Sequence, residues 1–154
     1  RRREIIGLRK IDHILAVEKN TWYFLTSNAI EQMIYSLKRI NDSWREHVGN
    51  NFSPVDFEYT SSYIKYQQFV VEIMEQVSLM MESENMDAMK AAALRERAEM
   101  VQVSLSEYRK QIIDSIQQQN VNIASSTVFL SIIQESQQIL SCLRHMTRGM
   151  VKFM

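Results

Sequence analysis

Helix-breaking residues are nearly missing from this chain: proline occurs once, at Pro54, and glycine three times, at Gly7, Gly49 and Gly149. Proline inside a helix costs about 3 kcal/mol and glycine about 1 kcal/mol relative to alanine. Leu8 to Val48 and Val55 to Arg148 are therefore free to be helical. The same scarcity excludes a glycine-rich phosphate loop and a glycine-flanked nucleophile elbow. Cysteine also occurs once, at Cys142, so no internal disulfide can form and a reducing, cytoplasmic setting is expected. No run approaches the roughly 18 consecutive apolar residues of a membrane span, and the arginine-rich start lacks the apolar core of a signal peptide. A soluble chain is expected, and because it opens on Arg1 and not on methionine, a longer parent is expected too.

What is present is amphipathic. A chain of 154 residues is the length of one domain and can bury roughly two thirds of its unfolded surface without staples. Its 18 basic and 18 acidic side chains balance, but unevenly along the chain. Residues 1 to 10 are net +4, residues 143 to 154 are net +3, and the body between them is net −7. An acidic body disfavours a grip on a nucleic-acid backbone. Basic ends suit an anionic membrane surface.

Four helical stripes follow from the spacing of apolar residues. In the first, Trp22, Ile30, Met33, Ile34, Leu37, Trp44 and Val48 recur at helical intervals, with Asn20 or Thr21 as the expected cap. Gly49-Asn50-Asn51 ends it, and Ser53-Pro54-Val55-Asp56 reads as a new start. The second stripe runs through Tyr63, Ile64, Val70, Val71, Met74, Val77 and Met81 and fades at Glu82-Ser83-Glu84. Asn85 is the expected cap of a third helix, with Asp87 in its first turn, and Leu94, Ala98, Val101, Leu105, Tyr108 and Ile112 form a heptad seam. After the polar run Gln117 to Asn122, the fourth stripe carries Phe129, Ile132, Ser136, Ile139, Leu143, Met146, Met150 and Phe153. Residues 1 to 19 are apolar enough to pack but ambiguous in period, and a short N-terminal helix or an ordered lead-in is expected there.

Catalytic and metal chemistry find little purchase. His13, His47 and His145 lie far apart, none follows a glutamate by three, and packing or surface roles are expected of them. Asp42 and Glu46 share a helical face beside Arg45, the ordinary pattern of a solvated surface. Cys142 has Arg144, His145 and Arg148 nearby, yet its apolar helix marks it for burial as a small hydrophobe. Of the ten methionines, Met33, Met74, Met81, Met146 and Met150 fall on or beside stripes that need filling. No enzyme, cofactor or metal is expected.

The opening RRREIIGLRKIDHILAVEKNTW and the stretch SLSEYRKQIIDSIQQQNVNIASSTVFLSIIQESQQILSCLRHM resemble the PhoU-like cytoplasmic domain that follows the membrane part of bacterial inorganic phosphate transporters. The likeness covers most of the chain. Its clearest piece is a helix with Tyr108-Arg109-Lys110, a polar turn, and a last helix with Ile133, Glu135 and Leu140. The family's metal signature, a glutamate followed four residues later by aspartate, is missing here: Glu135 is followed by Ile139, so no metal site is carried over. A second resemblance is to the soluble helical region of fused aromatic-acid-exporter proteins, and a stand-alone sensor or adaptor bundle with no transporter attached is the alternative from another class.

The expectation is a single domain over residues 1–154: an all-α, antiparallel, PhoU-like bundle of four long helices with a short N-terminal segment. The resemblance implies a non-catalytic regulatory domain at the cytoplasmic face of the inner membrane, partnered by the membrane-embedded transporter portion of the same chain. Pairing into a homodimer is a further option; a nucleic-acid partner is not expected. An even number of antiparallel helices returns the chain to its starting pole. Arg1, Arg2, Arg3, Arg9, Lys10, Arg144, Arg148 and Lys152 are therefore expected as a membrane-proximal basic cluster.

Overall fold

A computed structural model describes the backbone of residues 2–49, 57–83, 87–118 and 123–152, with side chains over 9–47, 61–83, 87–118 and 125–150. Those residues form an all-α bundle of four helices: α1 (Arg2–Gly49), α2 (Phe57–Glu82), α3 (Ala88–Gln117) and α4 (Ile123–Lys152). Val48, Gly49's successors through Pro54, Asn85 and Phe153 lie outside the described side chains, as do the cap and turn expected from them.

The expected short N-terminal segment is corrected. Residues 1–19 contain no separate element where described; α1 is one helix of 48 residues, about 70 Å long, and passes straight through the expected cap. The reason is local. Thr21 donates its hydroxyl to the Val17 carbonyl oxygen at 2.9 Å, the back-bonding of a helix interior, instead of turning to cap a free N–H. The start of α3 also shifts: Asp87 is the cap, in extended conformation, and its carboxylate accepts from the Met89 N–H at 2.9 Å.

α4 is the hub. It packs against α1 on one side and against the α2–α3 hairpin on the other, while among the described residues the α1 backbone packs on neither α2 nor α3. The core lies around α4, where Phe129, Ile132, Ile133, Ile139, Leu140 and Leu143 are sealed from solvent. The α3 seam packs as its spacing requires, from Leu94 to Ile112, with Leu105 fully buried. At the opposite end from the chain termini of α1 and α4, Tyr63, Tyr108 and Phe129 meet edge to face, with ring centroids 5.3 and 6.2 Å apart. Ser136, the polar member of the α4 stripe, is buried because its hydroxyl donates to the Ile132 carbonyl at 2.9 Å.

Two stripes divide otherwise than expected. In α2, Tyr63, Val70 and Val77 face the core with Ile73, whereas Ile64, Val71 and Met81 are exposed. In α1, the residues turned to α4 are Thr26, Ala29, Met33, Ser36 and Ile40, at heptad spacing. Ile30, Ile34 and Leu37 are 38, 61 and 45% exposed. Small side chains at 29, 36 and 43 allow α1 and α4 to approach closely.

Candidate functional site: a cleft between α1 and α4

The register of α1 on α4 is antiparallel. Ser43 and Ser131 hydroxyls lie 3.5 Å apart, and Arg39 Nε donates to Glu135 Oε1 at 2.8 Å. Cys142 Sγ is 3.7 Å from Gln32 Oε1. Further along, the Trp22 indole lies on Gly149: a Cβ at 149 would fall inside the Trp22 ring. Gly149, which the sequence marks only as a breaker near a chain end, is the residue that admits this contact.

Around it opens a cleft of about 830 Å³. Trp22, Leu25, Ala29 and Met146 supply apolar walls, Cys142 sits at the base, and Glu18, Gln32, Arg95, His145 and Arg148 supply polar groups. That size is in the range of small-molecule sites. Arg95 comes from α3, so three helices converge. Three basic side chains against one carboxylate over an apolar floor suit an anion that carries an apolar body. Covalent chemistry is not favoured: burial pushes the Cys142 thiol up, only partly opposed by a hydrogen bond to Gln138, so it stays protonated. Among the described residues, no three His, Cys, Asp or Glu side chains are grouped as metal ligands.

The basic residues expected as one cluster are placed as follows. Arg9 and Lys10 are exposed on α1, and Arg148 borders the cleft. Arg144 turns to α3, where Nη1 donates to Gln102 Oε1 at 2.8 Å and Nη2 lies 3.6 Å from Glu99 Oε2. Arg2 and Arg3 belong to α1, and Lys152 ends α4; their side chains, and Arg1, lie outside the described residues. Because Trp22 is level with Gly149, Arg9 stands about 20 Å beyond Arg148 along α1. Among the described side chains, Arg9 and Lys10 therefore do not meet Arg148.

Glu135 serves as an anchor between helices. Its carboxylate, 15% exposed, holds Arg39 and raises the guanidinium's pKa through their hydrogen bond. His47 is buried with its ring edge-on to Trp44 at 6.1 Å, and His145 is exposed at the cleft. Asp42 and Glu46 are both exposed. Among the described residues, no helix is long and apolar enough to cross a membrane.

Compared with protein-family models, with curated proteins and with solved structures, the chain has no significant match in any of the three.

Proposed function

We propose that this chain is a non-catalytic, PhoU-like regulatory domain of an inorganic phosphate transporter, working at the cytoplasmic face of the membrane and partnered by the transporter's membrane portion. The phosphate assignment rests on the resemblance of the two quoted stretches. The regulatory assignment rests on one observation: a ligand-sized cleft with Arg95, His145 and Arg148 at its rim lies at the joint between α1 and the rest of the bundle. A ligand there touches α1, α3 and α4 together and biases how α1 sits. It does so only by its differential affinity for two arrangements.

Trp22 reports on the cleft. In a Trp44→Phe background, a small aromatic carboxylate or phosphate ester is expected to change Trp22 fluorescence saturably, and Arg148→Ala together with Arg95→Ala is expected to weaken binding at least tenfold. An unsaturable response, or one that survives both substitutions, contradicts the sensing role. The transporter assignment is tested separately: the reading frame upstream of Arg1 is expected to encode several apolar segments of about 20 residues, and their absence sinks it.

A further inference from the structure

The outer side of α1 is built like an interface. Tyr23, Ile30, Ile34 and Leu37 are spaced by seven, four and three, which is a second heptad stripe roughly 100° around the helix from the one seated on α4. All four are exposed, Tyr23 at 63%. Among the described residues, neither the α2 nor the α3 backbone packs against α1. A helix with one apolar stripe needs one neighbour; α1 has two stripes and one neighbour.

We propose that α1 is the self-association helix of this protein, with the outer stripe packing antiparallel on the same stripe of a second copy. Three observations favour a second copy over another occupant. The first is size: Tyr23, Ile30, Ile34 and Leu37 are all exposed from position 23 to position 37, about 21 Å of helix, enough for one helix of a second copy to lie against.

The second is self-complementary charge. The antiparallel register that sets Ile34 against Leu37 of the partner subunit brings Glu31 beside Lys38 of the partner subunit on the flank. Two-fold symmetry repeats the pair, so one contact satisfies four charges. The third is continuity of that same flank. It brings Phe24, 72% exposed, beside Arg45 of the partner subunit, and a guanidinium stacks well on an aromatic face. A lipid surface would have no reason to select this alternation of Glu31 and Lys38 along one edge.

Sedimentation equilibrium of the 154-residue chain tests the proposal. The chain is expected to be a dimer, and Ile34→Glu is expected to raise the dissociation constant about 100-fold or more, as for a residue at an interface centre. Glu31→Lys alone is expected to weaken the dimer about tenfold by like-charge contact, and Glu31→Lys with Lys38→Glu to restore it. These positions are exposed, so helix content and the thermal midpoint of the monomer serve as folding controls. A monomer at every concentration overturns the proposal, as does a dimer indifferent to Ile34→Glu or a charge exchange that fails to rescue. Loss of liposome binding by a monomeric Ile34→Glu chain would assign the stripe to lipid and likewise overturns it.

Discussion

At the scale of single residues, Gly149 and Trp22 decide how α1 meets α4. Alanine in place of glycine at a helix interior ordinarily stabilises by about 1 kcal/mol. At 149 the new Cβ must displace the indole, and overpacking of that kind costs typically 1–3 kcal/mol. Gly149→Ala is therefore expected to lower the urea midpoint and to shift Trp22 fluorescence. A gain of about 1 kcal/mol would show that Trp22 does not rest on this backbone. The glycine was visible in the sequence, but its partner, more than a hundred positions away, was not. Nothing local to Trp22 announces the contact. Arg95 has the same character: it reaches the cleft from a third helix, and its neighbours along α3 read as an ordinary polar face.

At the scale of elements, the α3 seam was legible because its apolar residues leave no choice of face. Leu105 is fully buried at its middle, and Leu105→Ala is expected to cost about 2–5 kcal/mol in denaturant unfolding. Val103, two positions away and 54% exposed, is the internal control: Val103→Ala is expected to stay within about 0.5 kcal/mol. Equal effects at the two positions would refute the seam. α1 was legible as a helix but not in its start or its facing. A cap-type side chain ends a helix only where the backbone leaves helical angles, and Thr21 bonds back to Val17 instead. The α1 stripe is wide enough to serve two neighbours, so periodicity alone could not say that Met33 faces α4 while Ile34 faces away.

At the scale of the whole molecule, α4 organises the bundle and α1 is a long arm attached through that one neighbour. The antiparallel order, set by the positions of the breakers, brings the start of α1 and the end of α4 to the same end. What the linear order conceals is the overhang: α1 runs about 30 Å past the level of Gly149, so Arg9 and Lys10 are separated along it from Arg148. The cleft and the outer stripe lie on different sides of this arm. Ligand and partner can thus be held by one helix without competing for the same side chains.

The central claim is that α1 uses two faces, one on α4 and one on α1 of a second copy. Distances between identical nitroxide labels measure this directly, with Cys142→Ser removing the native thiol. In the antiparallel register proposed, labels on Arg45→Cys are expected about 30 Å apart and labels on Asn20→Cys about 47 Å apart, from a rise of 1.5 Å per residue about the two-fold axis. Equal short distances at both positions would mean a parallel pair. Those distances, or no coupling between copies at either position, would contradict the account.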